Sequence, residues 1–331
     1  MTAAPLDRFR AFFEAHPTLL LASHVDPDGD AIGSSLGLAW ALRAMGREVV
    51  IVNSSPLPEN LRFLPGSEWV HLPGDVKGPF SAAVILDCSS VDRIGRDAEA
   101  LLAPGAAIAN IDHHAANNEF GDPRLVDTEA CATAELVLDV LDACGIPLGP
   151  EIAICLYVGI ASDTGGFRYL NTTPRALRLA ARLVEHGALP AVASDALYGK
   201  KSEASLKVLG FALSSLERLS RGQVAALTIS REMFERAGAS TEDSDGIVQF
   251  AKALDGTRVG ILIQEVAPGE VRLSIRSDGT VDVNAVAARF GGGGHRNASG
   301  ARVKGDLATV RRDVLEALDR AVNGGPAPSR R

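Results

Sequence analysis

The sequence is short of the features that mark several common protein classes. None of its apolar runs approaches the ~18–20 residues needed to span a bilayer, because charge or glycine interrupts each one early. A membrane-spanning helix is thereby excluded. The opening segment, MTAAPLDRFRAFFEAHP, lacks the apolar core of a signal peptide. The four cysteines, Cys88, Cys131, Cys144 and Cys155, form no CxxC pair and no disulfide framework. That pattern implies a reduced, cytoplasmic setting and buried thiols. There is no GxSxG elbow, no GxxxxGK[ST] loop and no HExxH helix, so three common routes to hydrolysis are absent. Positive charge is also in deficit: 33 basic residues against 41 acidic ones leave a net charge of −8. Coating of long nucleic acid through a broad basic face is not expected of such a chain.

The 331 residues are 46% apolar, enough to bury a sizeable core in two domains of ordinary size. Charge is unevenly spread. Residues 1–189 carry 13 Lys and Arg against 24 Asp and Glu, whereas residues 190–331 carry 20 against 17. A metal-rich domain followed by one that holds an anionic substrate fits this division, although solvated surfaces alone would also produce it.

Apolar strands alternate with helices through the first part. TLLLASH (18–24), REVVIVN (47–53), SAAVILD (81–87) and GAAIANID (105–112) read as buried strands. AIGSSLGLAWALRAMG, AELVLDVLDACG, EIAICLYVGIASD and TPRALRLAARLVEHG read as helices, the last with Thr172 or Thr173 as N-cap. The alternation predicts an α/β fold with a parallel sheet, whose ligands gather beyond the carboxyl ends of the strands. Three runs end in polar clusters, at Asp26–Asp30, Asp87 and Asp112–His114. These clusters are expected to meet at one sheet edge. Residues 188–205 read as a connector. QVAALTIS, TRVGILIQEV and EVRLSIRS then read as strands, the last two joined by an APGE turn as an antiparallel hairpin. The expected organisation is a catalytic domain over 1–187, the connector, a smaller α/β domain with a mixed sheet over 206–322, and a disordered tail at 323–331.

Five segments carry chemistry. HVDPDGD crowds His24, Asp26, Asp28 and Asp30 into one turn, where the carboxylates repel unless a cation intervenes. Such donors suit manganese, with magnesium, cobalt and zinc as alternatives. A solvated acidic turn is the competing reading. Asp87 after a strand, taken alone, reads sooner as an N-cap or turn residue than as a ligand. In IDHH, one imidazole of the pair His113 and His114 can bind metal while the other faces a phosphate, and Asp112 can orient a histidine. Asp163 closes an apolar helix, with Arg168 within reach of a phosphate; glycine capping is the plain alternative. In FGGGGHRN, glycines 291–294 let amides approach an anion, and His295 follows, although a bare glycine run reads more plainly as a flexible loop. Ser274 and Arg276 lie on the neighbouring hairpin strand.

Together the five segments resemble the DHH phosphoesterase family, over roughly residues 10–320. HVDPDGDAIGS, LDCSS, the DHH triplet at 112–114, GIASDTGGF and GGGGHRNASG stand in that family's order. Within the family the chain is similar to the nanoRNase A-type proteins, bifunctional oligoribonucleases and 3′-phosphoadenosine-5′-phosphate (pAp) phosphatases. The resemblance implies two manganese ions per chain, with magnesium or cobalt as substitutes. It places His24 and Asp28 on one ion, Asp30, His113 and Asp163 on the other, and Asp87 between them. It makes His114 the contact to the scissile phosphate, supported by Asp112. It assigns substrate binding to Arg276 and His295 with Gly291, Gly292, Gly293 and Gly294; Ser274 and Arg168 are candidates for the same role by position. Asp26 receives no ligand role.

The expected reaction is in-line attack of water on phosphorus, on nanoRNA, short single-stranded DNA or pAp. A homodimer without membrane attachment is also implied. Cyclic-di-AMP phosphodiesterases of the family share all five motifs and stay as an alternative. A pyrophosphatase would lack the GGGH element. A non-catalytic nucleotide sensor would have no need of six metal ligands.

Overall fold

The computed structural model describes residues 3–199 and 201–324. The chain divides into two compact units at Lys200/Lys201, inside the stretch that reads as a connector. The tail expected at 323–331 lies, beyond residue 324, outside the described residues.

The first unit is built on six parallel strands: β1 (Thr18–Ala22), β2 (Glu48–Val52), β3 (Val70–His71), β4 (Phe80–Leu86), β5 (Leu102–Asp112) and β6 (Arg124–Val126). Helices α1 (Ala3–Ala15), α2 (Gly29–Ala44), α3 (Arg96–Glu99), α4 (Thr133–Cys144), α5 (Pro150–Asp163), α6 (Pro174–Glu185) and α7 (Pro190–Ser194) accompany them. The strands read as near-continuous apolar runs because both faces are covered. Leu19, Leu21, Val84 and Leu86 join the core with α1, α2, α4 and α5, while Leu20, Ala22, Ala83 and Ile85 pack into a second cluster with Ile94 and Ala98. Each fully buried leucine here stabilises the fold by about 1.5–3 kcal/mol.

The strand order is β3-β2-β1-β4-β5-β6. Chain direction across the sheet therefore reverses between β1 and β4, and a crevice opens where their carboxyl ends diverge. The HVDPDGD turn leaves β1 at that point and Asp87 leaves β4 there.

The second unit carries a mixed sheet, β11-β12-β10-β9-β8-β7. Its strands are β7 (Glu217–Leu219), β8 (Val224–Ile229), β9 (Val259–Ala267), β10 (Glu270–Ser277), β11 (Gly293–His295) and β12 (Ala298–Lys304), parallel only between β8 and β9. Helices α11 (Val283–Ala288) and α12 (Leu307–Asn323) cover one face. Helices α8 (Glu203–Ser214), α9 (Arg231–Ala237) and α10 (Val248–Lys252) pack on the other, over Leu227 and Leu262 of β8 and β9.

The connector, read as partly helical, is helical through α7 and a π-helical turn at Asp195–Gly199. One feature differs from the sequence reading. The glycine run is not an open loop: Gly293, Gly294 and His295 pair with Gly300, Ser299 and Ala298. Glycine is a poor strand former, so neither β11 nor the small-residue strand β12 shows the alternation that marks strands in sequence.

Candidate metal centre

Eight of the singled-out side chains converge at the carboxyl edge of the first sheet. Asp28 caps α2, its Oδ1 accepting the amides of Asp30 at 2.9 Å and Ala31 at 3.1 Å. This cap fixes the turn and leaves the second carboxylate oxygen of Asp28 for other partners. Asp30, in the first turn of α2, is fully buried and meets the start of α4. It accepts from the Thr133 amide at 2.5 Å, the Ala134 amide at 2.9 Å and the Ser34 hydroxyl at 3.0 Å. The partial positive charge of a helix N-terminus thus holds a carboxylate that burial would otherwise disfavour. Close approach of α5 to α2 brings in Asp163. A Cβ at Gly159 would lie 2.6 Å from the Ala134 Cβ and 2.8 Å from the Asp30 Oδ1, so only glycine permits this spacing.

Asp87 adopts a left-handed backbone (φ 56°) just after β4, a conformation that costs free energy in a non-glycine residue and marks functional sites. Its two oxygens face different neighbours. Oδ2 lies 3.4 Å from the His24 Nε2, whereas Oδ1 lies 3.6 Å from the His113 Nε2 and accepts from the Thr133 hydroxyl at 2.9 Å. The His113 Nε2 is also 3.2 Å from the Asp163 Oδ2 and 4.0 Å from the Asp30 Oδ2. The donor atoms fall into compact sets of His24, Asp28 and Asp87, of Asp30, His113 and Asp163, and of Asp87, His113 and His114.

The tautomers follow from the outer contacts. The Nδ1 atoms of His24 and His113 lie 2.8 Å and 3.3 Å from the carbonyls of Val25 and Ala130. Each donates its Nδ1 proton there and turns Nε2 into the cluster. His114 is oriented differently, its Nδ1 donating to the Asp112 Oδ1 at 2.7 Å. Asp112 is fully buried and accepts a second bond from the Asn117 Nδ2 at 2.6 Å.

The electrostatics show unbalanced negative charge. Burial, with Asp87 nearby, raises Asp28; burial, with Asp87 and Asp163, raises Asp30 well above the carboxylate range; and burial pushes Asp163 up to about 6. Against burial, Asp87 and Asp28 hold His24 up at about 9. Burial also opposes ionisation of Asp87, yet His24, His113 and His114 keep it well below the usual range. Four carboxylates within one pocket cannot all ionise without protons or cations. The donors are carboxylate oxygens and imidazole nitrogens, as hard and borderline divalent ions require. The residues therefore fit a divalent metal group.

Thr133, Ser34 and Asn117 also build this centre, yet nothing marks them in sequence: each is an ordinary polar residue, Ser34 bonding Asp30 one turn away and Asn117 bonding Asp112 five residues away, while Thr133 reaches Asp30 and Asp87 from far along the chain. Asp26 stays outside the cluster, exposed, and accepts from the Ser55 hydroxyl at 3.2 Å. Arg168 is turned elsewhere. Its Nε donates to the Gly165 carbonyl at 2.6 Å, and its guanidinium sits 5.7 Å from the Tyr198 ring, by a cavity of about 360 Å³ behind α5.

The remaining candidates lie in the second unit. Cross-strand register sets His295, Ala298 and Arg276 in one row and Gly293, Gly300 and Ser274 in the next row of the same face. That face offers a floor of small side chains flanked by an arginine and an imidazole. The amides of Gly291 and Gly292 are committed to the carbonyls of Ala288 and Ala287. A Cβ on Gly292 would strike the Gly300 carbonyl, so this glycine serves packing.

Residues 18–160 match the model of the DHH family, N-terminal domain, and residues 221–324 match the DHHA1 domain. The bifunctional oligoribonuclease and PAP phosphatase NrnA of Thermus thermophilus is 39% identical over 302 residues, covering 91% of this chain and 89% of the relative. The protein of the same name from Bacillus subtilis is 29% identical over 294 residues, covering 87% and 90%. Among solved structures, an exopolyphosphatase-related protein from Bacteroides fragilis aligns with a TM-score of 0.89 at 27% identity, covering 97% of this chain and 96% of the other. No helix among the described residues is long and apolar enough to cross a membrane. With both domain models matched and a 39%-identical relative spanned over most of its length, the chain belongs to the DHH family and is a phosphoesterase of that family.

Proposed function

We propose that this enzyme hydrolyses oligonucleotides of about two to five residues to mononucleotides and removes the 3′-phosphate of pAp, using two manganese ions. The observation that supports the pair of ions is the division of Asp87, one oxygen toward His24 and the other toward His113. His24 and Asp28 would hold one ion, Asp30, His113 and Asp163 the other, and Asp87 both. Bound there, the ions supply Lewis acidity, which lowers the pKa of water toward about 7 and offsets charge on the phosphoryl oxygens.

The chain's own residues complete the chemistry. With the Nδ1 proton of His114 committed to Asp112, proton delivery to a leaving oxygen falls to Nε2. Attraction to Asp112 raises the pKa of His114 and favours that protonated form. Asn117 and the buried Asp112 position the ring. In the second unit, Arg276 and His295 flank a floor of glycine, alanine and serine. This is a surface suited to a phosphate and the flat face of a nucleoside. The names of the relatives in Thermus thermophilus and Bacillus subtilis support this substrate class.

The test is product analysis with 5′-labelled di- to pentanucleotides, pAp and cyclic-di-AMP, with manganese and after chelation. Mononucleotides from the short chains and AMP from pAp are expected, both abolished by chelation. Turnover of the cyclic dinucleotide alone would redirect the assignment to the cyclic phosphodiesterases.

A further inference from the structure

The metal cluster provides for a phosphate but not for everything attached to it. In pAp the 3′-phosphate is a terminal monoester. In an oligonucleotide the corresponding phosphate is a diester that carries another nucleoside through O5′. A site that hydrolyses both, as proposed above, needs a place for that extra nucleoside which pAp does not occupy.

A cavity of about 630 Å³ lies beside His114. His114, Ala115 and Asn117, following β5, wall one side; Val126, Asp127 and Thr128, at and after β6, wall the other. The His114 Nδ1 is 3.6 Å from the Asp87 Oδ1, so the cavity begins where the metal cluster ends. Both walls are tied to one buried residue. The Asn117 side chain donates to the Asp112 carboxylate at 2.6 Å, and the Asp127 amide donates to the Asp112 carbonyl at 3.2 Å. The Asn117 amide also donates to the His114 carbonyl at 3.1 Å. The cavity is therefore pre-formed, and its volume lies within the ~300–1,000 Å³ typical of small-molecule sites.

Its charge selects the occupant. Asp127 and Glu119 line it, and its one guanidinium, Arg124, is paired to Glu119 at 3.1 Å. Carboxylates repel a phosphate but accept hydrogen bonds from ribose hydroxyls and exocyclic amines. Ala115, Val126 and Leu125 add apolar surface for a base. The group that fits is a neutral nucleoside.

We infer that the cavity beside His114 is the subsite for the nucleoside on the O5′ side of the scissile phosphate, and that it separates oligonucleotide hydrolysis from pAp hydrolysis. In both reactions the oxygen of water joins phosphorus, the P–O3′ bond breaks and O3′ takes a proton. The dinucleotide pApA yields two molecules of AMP, the second leaving from the cavity. With pAp the products are AMP and inorganic phosphate, and the cavity plays no part.

The experiment compares pAp, its 3′-methyl ester and pApA on the full-length manganese enzyme, wild type and Thr128→Phe. Thr128 is exposed at the rim, so a larger side chain enters the cavity without disturbing the core. Wild-type kcat/KM for pApA should exceed that for the methyl ester by about tenfold or more, the range expected for a filled pocket. Thr128→Phe should lower the pApA-to-pAp ratio by a similar factor, mainly through KM. The Ki of a phosphonate dinucleotide with CH2 in place of O3′ should rise in parallel. An unmoved ratio and Ki, or a wild type that treats pApA and the methyl ester alike, overturns the cavity assignment alone. Hydrolysis of neither pAp nor pApA overturns the parent reading and this one with it.

Discussion

Asp163 offers a sharp separation of metal binding from folding. It ends α5, where the helix dipole disfavours a carboxylate, and it shares a pocket with Asp28, Asp30 and Asp87. Its carboxyl is pushed up to about 6 by burial, with 19% of the side chain exposed. An ionised carboxyl held there rather than near 4 carries an unfavourable free energy of about 3 kcal/mol at pH 7. That figure already includes the opposing attraction of the His113 Nε2, 3.2 Å away. Asp163→Asn should therefore stabilise the metal-free enzyme by about 1–3 kcal/mol at neutral pH.

In a unit of 200 residues this corresponds to a Tm higher by about 2–12 °C. The sign of the pH dependence follows. Because the folded-state pKa is raised, the penalty is absent below the unfolded value near 4, grows up to about 6 and is full above it. The gain from Asn should thus appear between pH 4 and 7. Manganese should raise the Tm of the wild type and raise that of the variant much less, since one donor of the His113 set is gone. The assay is scanning calorimetry of chelator-treated protein from pH 4 to 8, then with manganese added. A metal-free variant that melts below the wild type at pH 7.5, or equal manganese stabilisation of both proteins, would refute the reasoning.

Asp87→Ala removes the carboxylate that faces both histidines, and should lower manganese-dependent hydrolysis by at least ~10²-fold with the circular dichroism spectrum unchanged; full activity would disprove the shared role. His295→Ala should reduce kcat/KM for a dinucleotide more than for bis(p-nitrophenyl) phosphate, and equal losses would remove His295 from the substrate contacts. Gly292→Ala drives a Cβ into the Gly300 carbonyl and to 2.5 Å from the Ala301 Cβ. That overpacking should destabilise the second unit by about 1–3 kcal/mol, seen as an earlier unfolding transition, while manganese binding by the first unit is retained.

The sequence was most legible where burial is uniform. β1, β2, β4 and β5 appear as apolar runs because helices cover both faces of the sheet, and the polar residues that end those runs had to reach its carboxyl edge. The antiparallel β9–β10 pair was equally plain, since Pro268 and Gly269 leave only a tight turn between an apolar run and an alternating segment. β11 and β12 were not, because glycine, alanine and serine carry no periodic signal and their pairing alone makes them strands.

His24, Asp28, Asp30, Asp87, His113 and Asp163 stand at strand and helix ends, where residue type and position left each with a plainer reading, and the resemblance to the DHH family is what singled them out as candidate metal donors. Tertiary structure brings them together. The strand order puts β1 beside β4 and so sets His24 against Asp87. The lack of a side chain at Gly159 lets α5 approach α2. Thr133 holds Asp87 from the start of α4, far along the chain. Such contacts depend on which elements become neighbours after folding, and a local run of residues does not encode that choice.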